Sequence, residues 1–308
     1  MSGVMRETVN EGARRSASPI LSVLVPTYRD DPRPLLAALA ADGSDEVEII
    51  IYEDGAPDAD LSEALRAAVL YAPIPARQIT APVNLGRSAA RNRLGDLARG
   101  QWLLFLDADM RPPERFLTRW IDILSQSPAD AVFGGYEPCA PASTAEAVHA
   151  ALAHASDVRS AVERNEIGAV AVCSSNLAVR RSFFGQVPFD EAYSGWGWED
   201  VDWALRAAEA GRVAHADNPA GHGGLESVER LLAKFGVAGP NFARLLARHP
   251  DYAARPGARL ALKLRRWRVA APAKAAGAMI ARATLLPVRV RALGLKLFRA
   301  AAAAGDLP

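Results

Sequence analysis

Short apolar runs alternate with stretches of helical period over the first half of the chain. LSVLVP at residues 21–26 reads as a strand, followed by the helical pattern PLLAALAA. VEIIIYEDG at 47–55 reads as a second strand, followed by DLSEALRAAVLY. ARQIT is a short third strand leading into GRSAARNRLGDLA, QWLLFLDAD a fourth leading into PERFLTRWIDIL, and DAVFGG a fifth. Buried runs of this length between helical periods imply βαβ units with right-handed crossovers. The expected fold class is therefore α/β, with a mainly parallel sheet and flanking helices.

The pattern then becomes less regular. AVAVCSSNLAVRRSFF predicts two short strands around a turn. EDVDWALRAAEAG predicts a helix, with Val201, Leu205 and Ala208 at helical spacing and Gly211 as its stop. RVAHAD predicts another short strand, and no internal repeat is evident. Residues 1–19 are polar and small and predict a flexible N-terminal arm. After about Tyr252 the chain is helical and basic: residues 255–308 hold twelve Lys/Arg and one acid, Asp306. Leu286, Val290, Leu293 and Leu297 share one helical face, with Arg289, Arg291, Lys296 and Arg299 off it. That is an interfacial, amphipathic pattern. The expected organisation is an arm over 1–19, a domain over 20–250 with halves meeting near residue 110, and a basic helical tail over 251–308.

Composition narrows the class. Half of the 308 residues are apolar, enough for a sizeable core, and the net charge of +1 argues against nucleic acid as a partner. Cys139 and Cys173 have no metal-type spacing and make no disulfide framework, which fits a reducing compartment. The N-terminal stretch has no apolar signal core, and no uncharged apolar run reaches eighteen residues. A cytoplasmic protein is expected, with peripheral membrane contact through the tail.

The chemistry gathers at strand ends, where open α/β sheets bind ligands. The ends are Pro26-Thr27-Tyr28, Glu53-Asp54-Gly55, Asn84-Leu85-Gly86-Arg87 and Asp107-Ala108-Asp109. Four acids on two strand ends, with Arg87 and Arg91 nearby, suit a nucleotide diphosphate held by Mg²⁺ or Mn²⁺, and a histidine ligand would favour Mn²⁺. The arginines could neutralise the diphosphate, and Asp54 could accept from a base N–H. Plainer readings exist for each group. Asp107 and Asp109 could be a solvated turn, Glu199 and Asp200 helix-start acids, Trp196 and Trp198 core, and Ser174 and Asn176 turn residues. Arg87 and Arg91 could be a solvated helix face. His215, inside a short strand, reads as structural.

The blocks VLVPTYRD, IIIYEDGAPD, NLGRSAARNRLGDLARGQWLLFLDADM, SSNLAVRRSFF and FDEAYSGWGWEDVDWALRAAEAG, with a later His222, stand in an order that resembles family 2 glycosyltransferases of the GT-A fold. The resemblance covers about residues 20–224, and GWGWEDVDWALR also resembles the C-terminal block of galactosyltransferase-like members. It implies a Rossmann-like sheet and a nucleotide site formed by Pro26, Thr27, Tyr28, Glu53, Asp54, Arg87, Arg91, Asp107 and Ala108. It implies metal ligation by Asp109, His222 and Asp107, with Asp200 as catalytic base and Glu199 holding the acceptor. Trp196, Trp198 and Asn176 would meet a sugar. Two departures stand out: EDGA replaces the usual DDGS, and GWGWED the usual GWGGED, so Trp198 takes the place of a small residue. KLRRW at 263–267 resembles the Gln-x-x-Arg-Trp of processive synthases but has Lys263 for Gln, and reads as part of the tail of a non-processive enzyme.

The implied activity is inverting, metal-dependent transfer of one hexose-type sugar from a nucleotide sugar, UDP-linked by preference. The implied acceptor is a glycan or lipid-linked glycan of a bacterial cell envelope. A nucleotidyltransferase would want a Gly-rich, Lys-containing loop after the first strand, which is absent. A degenerate sugar-nucleotide-binding or scaffold subunit would not need Asp109, Asp200 and His222 together.

Overall fold

A computed structural model describes residues 4–16 and 18–307. The chain divides into two compact units. The first holds Met1–Glu137, Arg159–Glu191 and Trp203–Gly223, and the second holds Pro138–Val158, Ala192–Asp202 and Gly224–Pro308. The division departs from the expected one. The C-terminal helices join earlier segments of the chain instead of forming a separate tail.

Among the described residues, the first unit is built on eleven strands: β1 (Arg6–Val9), β2 (Leu21–Thr27), β3 (Val47–Glu53), β4 (Ala76–Thr80), β5 (Trp102–Leu106), β6 (Met110–Arg111), β7 (Ala131–Phe133), β8 (Tyr136–Glu137), β9 (Asn176–Arg180), β10 (Val213–His215) and β11 (Ala220–His222). Eight form one sheet in the order β1-β4-β3-β2-β5-β9-β7-β10, and β6-β11-β8 form a small second sheet. The centre, β4-β3-β2-β5, is parallel as expected. Its strands are apolar at consecutive positions because both faces are covered. Val23, Ile49 and Leu104 face one core, with Trp120, and Leu24, Ile50 and Phe105 face the other, with Trp203.

Two expectations fail in this unit. Residues 6–15 of the expected arm are ordered, whereas residues 1–3 and 17 lie outside the described residues. β1 pairs antiparallel with β4, Arg6 opposite Thr80 and Val9 opposite Arg77. One polar side chain that anchors the segment is Asn10, which is 3% exposed. Its Oδ1 accepts from Ala13 N (2.8 Å), capping the helix Glu11–Arg15, and from Ala76 N (3.1 Å). Its Nδ2 donates to the Ile74 carbonyl at 2.8 Å. The segment expected as two strands holds one strand, β9, after a 3-10 turn at Ala169–Ala171. β9 enters antiparallel between β5 and β7. The helix Glu199–Ala210 forms as expected, but its buried apolar residues are Trp203, Ala204 and Ala207, and Ala208 is exposed.

The second unit is helical. Ala278 and Ala281 of the helix Ala270–Arg282 pack with Ala292, Leu295, Phe298 and Ala302 of the helix Val288–Gly305 against Leu231, Leu232 and Phe235 of the helix Val228–Gly236. Gly277 and Gly294 let two backbones touch. A Cβ at Gly294 would stand 2.8 Å from Ala281 N, and one at Gly277 would stand 2.7 Å from Phe298 N. The stripe at Leu286, Val290, Leu293 and Leu297, expected to be interfacial, takes no part in this core. Leu293 is 62% exposed, and Leu286 and Val290 are also open to solvent. Among the described residues, no helix is long and apolar enough to cross a membrane.

His215 supplies a test of packing in the first unit. It is buried on β10, edge-on to Phe133 at 5.9 Å, and has the structural role expected of it. Burial and the nearby Arg164 charge lower its pKa to about 4. An unfolded histidine near 6.5 binds a proton that the folded one refuses, so stability is lost as pH falls from about 6.5 to about 4. The full loss is at most roughly 3 kcal/mol. His215→Gln should flatten the fall in melting temperature between pH 7 and pH 4.5, and a slope equal to wild type would show that His215 does not carry it.

Candidate active site

Two carboxylates follow the end of β5. Asp107, Ala108 and Asp109 turn the chain into β6, with Met110 N donating to the Asp107 carbonyl at 3.1 Å. β6 pairs antiparallel with β11 so that His222 lies opposite Met110. Gly223 N donates to the Asp109 carbonyl at 2.9 Å, and a Cβ there would stand 2.7 Å from that oxygen, so glycine permits the approach. This register brings His222 Nε2 to 3.5 Å from Asp109 Oδ1. Ligand atoms of Asp107, Asp109 and His222 all lie within 4.8 Å of one another.

Each charge in the group is compensated differently. Arg91, 3% exposed, donates from Nη2 to Asp107 Oδ1 at 2.9 Å and lies over the Phe189 ring. Burial alone would raise the Asp107 carboxyl, but Arg91, Arg87 and His222 outweigh it and hold its pKa below the usual range. Burial raises the pKa of Asp109. His222 opposes that rise, while Asp107 and Asp30 add repulsion. Asp109 Oδ1 is buried without a hydrogen-bond partner. An orphaned carboxylate oxygen beside a second carboxylate and an imidazole is a donor set that fits a divalent cation, and the imidazole suits Mn²⁺ better than Mg²⁺.

The structure reassigns two expected nucleotide contacts. Arg91 is buried and holds Asp107, whereas Arg87, the first residue of the helix Arg87–Leu97, is exposed with its charge towards Asp107. Asp54 is buried and accepts from Leu85 N (2.9 Å) and Gly86 N (2.8 Å). Burial pushes its carboxyl up, and those two N–H groups oppose the rise. Both oxygens thus hold the loop that starts the Arg87–Leu97 helix. Glu53 is also buried, its Oε2 accepting from Gln78 (2.6 Å), Thr80 (2.8 Å) and Ser62 (2.9 Å). Thr27, Tyr28, Glu53, Ala56 and Leu61 line a small crevice beyond β2 and β3, with Tyr28 39% exposed at its rim. Pro26 stays in β2, paired with Tyr52, and Ala108 is buried in the turn. Asn176, expected at a sugar, is fully buried on β9. Its amide donates to the carbonyls of Gly135 (2.9 Å) and Asn218 (3.0 Å), so it ties strands together.

The acid pair belongs to the second unit. Glu199 and Asp200 open the helix Glu199–Ala210, whose N-terminus favours ionised acids by roughly 0.3–1 kcal/mol. Glu199 is buried, and Asp200 is half-buried with its Oδ1 lacking a hydrogen-bond partner. Trp196 and Trp198 are half-buried and pack on other rings of their own unit. Trp196 lies 5.3 Å from the Phe235 ring, and Trp198 lies 4.9 Å from Phe242 and 6.0 Å from Tyr252. Trp198 has φ 77°, in the left-handed region that costs an L side chain about 1–2 kcal/mol. Asn241 supports this loop by donating to the carbonyls of Ser194 (2.9 Å) and Gly197 (3.0 Å).

Asp202 was missed in sequence. It is fully buried one turn into the same helix and pairs with Arg248 (2.9 Å) and His249 (3.1 Å). Its signal was present: an acid next to Trp203 on the packing side of a helix requires a cationic partner. Tyr136 was also missed. Its hydroxyl hydrogen-bonds Ser175, and its ring meets His222 at 5.8 Å.

Known proteins bear on this geometry. The chain is 27% identical over 202 residues to the glycosyltransferase AglE of Haloferax volcanii, a match covering 64% of each protein. It spans less than two thirds of the length of the curated relatives it matches. Its fold is similar to that of the mannosyltransferase PcManGT from Pyrobaculum calidifontis, solved with GDP-Man and Mn²⁺. That likeness has TM-score 0.62 and 18% identity, and covers 94% of this chain and 87% of the other. TarS of S. aureus, solved with UDP, is similar at TM-score 0.53 and 17% identity, covering 91% of this chain and 89% of that one. These likenesses establish a GT-A-like fold. The sequence profile of Glycosyl transferase family 2 matches residues 22–184, more than half of the chain, and the protein belongs to that family.

Proposed function

We propose that the protein transfers one sugar, with inversion, from a nucleotide sugar to a hydroxyl of a glycan or lipid-linked glycan, UDP-sugars being the first donors to test. The observation that carries the reading is the Asp107–Asp109–His222 donor set with its orphaned Asp109 oxygen. That PcManGT was solved with GDP-Man and Mn²⁺, and TarS with UDP, supports it. A divalent cation bound by these residues would offset the charge that appears on the departing diphosphate. Arg87 adds positive charge on the same side. Asp200 accepts the proton of the acceptor hydroxyl while the oxygen of that hydroxyl bonds the anomeric carbon and the bond from that carbon to the diphosphate oxygen breaks. Attack from the face opposite the leaving group inverts the centre.

The C-terminal helices support a peripheral membrane role, at the inner face of a bacterial cell membrane. Trp267 (63%), Met279 (68%), Leu285 (99%) and Leu293 (62%) are exposed, Arg266 and Arg268 flank Trp267, and Arg289 stands four residues from both Leu285 and Leu293. Each cationic side chain near an anionic surface contributes on the order of 1 kcal/mol, reduced by salt.

Asp109→Ala should remove Mn²⁺-dependent UDP binding, measured by calorimetry with metal and with chelator, at an unchanged melting temperature. Equal wild-type affinity in metal and in chelator would sink the metal assignment. Asp200→Asn should bind UDP normally yet lose on the order of 10²–10⁴ in the rate of donor turnover, the usual cost of a missing general base. A near wild-type rate would move the base elsewhere. Leu285→Ser combined with Leu293→Ser should reduce cosedimentation with phosphatidylserine-containing vesicles at low salt. If the wild-type protein itself ignores such vesicles, the membrane role fails and the transferase reading is untouched.

A further inference from the structure

Arg299 sits far along the chain from the acid pair, yet it lies against the loop that starts it. The helix Val288–Gly305 places its guanidinium 4.5 Å from the Trp198 ring centre, 5.7 Å from Trp196 and 5.3 Å from Phe235. Tyr252 and Phe242 pack on Trp198 as well. A planar, always charged guanidinium stacks on aromatic faces, and a lysine ammonium cannot reproduce that plane.

The stack reaches the acids through the backbone. The Trp198 carbonyl accepts from Asp202 N at 3.0 Å, the first hydrogen bond of the helix Glu199–Ala210. Glu199 and Asp200 lie inside that turn, so the orientation of Trp198 sets the direction in which both side chains leave the helix. Gly195 (φ 76°), Gly197 (φ 91°) and Trp198 (φ 77°) all hold left-handed backbone. A tryptophan in such a run returns to ordinary backbone unless its ring is gripped.

We infer that Arg299 is a positioning residue for the Glu199–Asp200 pair: it grips the Trp198 ring and thereby fixes the helix start that aims Asp200 at the acceptor hydroxyl. The inference rests on the reading of Asp200 as the base. It makes the C-terminal helix a part of the acceptor side of the enzyme, beyond any contact with lipid.

The test uses the full chain with Mn²⁺. Donor hydrolysis, with water in place of the acceptor, is followed on whichever of UDP-glucose, UDP-galactose, UDP-N-acetylglucosamine and GDP-mannose the wild type hydrolyses fastest. Arg299→Lys should lower kcat roughly 10- to 100-fold, the scale of a small misplacement of reacting groups, with the donor KM within about twofold. In an Asp200→Asn background it should cost nothing further, because residues acting as one unit are non-additive. Wild-type kcat in Arg299→Lys, or losses that multiply with those of Asp200→Asn, overturns the inference. Wild-type kcat in Asp200→Asn overturns the base assignment instead, so the two failures are distinct. Trp198→Leu removes the other half of the stack and should show the same loss, and wild-type kcat there also overturns the inference. Hydrogen exchange needs no donor: amides of residues 195–202 should exchange faster in Arg299→Lys while those of β5 stay unchanged. Unchanged exchange in 195–202 overturns the inference.

Discussion

The structure of the first unit depends on keeping two carboxylates, Asp107 and Asp109, charged and adjacent after a strand with no exposed residue. Their ligand atoms lie within 4.8 Å of each other, where like charges repel by at least about 3 kcal/mol in an effective dielectric of 20. Several otherwise odd features answer that problem. Arg91 is buried, which is costly for a guanidinium unless it faces a carboxylate, and it does. The small β6-β11-β8 sheet has no core of its own; its effect is to return the chain so that His222 meets Asp109. Gly223 allows the return to close tightly. What remains uncompensated is the Asp109 oxygen, which is where a cation fits.

The central strands were legible in the sequence because parallel strands covered on both faces are apolar without alternation. The Asp-x-Asp pair was legible because acids are unusual directly after such a run. The arm over residues 1–19 misled because residues 6–15 are held by distant parts of the chain, the partners of Asn10 more than sixty residues away among them. β6, β8 and β11 are two or three residues long and leave no periodic trace. Arg87 and Arg91 look alike in sequence. They differ only because Ser88, Ala89, Ala90 and Leu94 turn the second towards the core. Asn176 looked like a ligand residue for the reverse reason: buried amides that join strands have the same composition as sugar-binding ones.

The C-terminal stripe reads as interfacial in the sequence, and the structure leaves Leu286, Val290 and Leu293 open to solvent. Leu286, Val290, Leu293 and Leu297 made the obvious stripe, but burial went to Ala292, Leu295, Phe298 and the alanines 300–304. Small residues gain little transfer free energy individually, yet with Gly277 and Gly294 they let backbones approach until dispersion contacts accumulate. A helix so packed can leave its leucines outside. Clustered with Arg and Lys, those leucines are free to serve a second purpose.

The substitution that set this chain apart from its family pattern, tryptophan for a small residue before the acid pair, now has a physical account. A glycine there accepts φ near 77° at no steric cost. Trp198 pays about 1–2 kcal/mol for the same backbone. An aromatic contact is worth about 0.5–1.5 kcal/mol and a partly desolvated cation–π contact about 0.5–2 kcal/mol. Phe242, Tyr252 and Arg299 together therefore offset the strain, and none of them does so with much to spare. The consequence is a coupling that a glycine could not provide. With glycine, the turn before Glu199 is defined by its own backbone alone; with tryptophan, it is defined by the helix Gly239–Arg248 through Phe242, and by the helix Val288–Gly305 through Arg299. The orientation of the acid pair then depends on the C-terminal helices being in place, which their composition alone would never suggest.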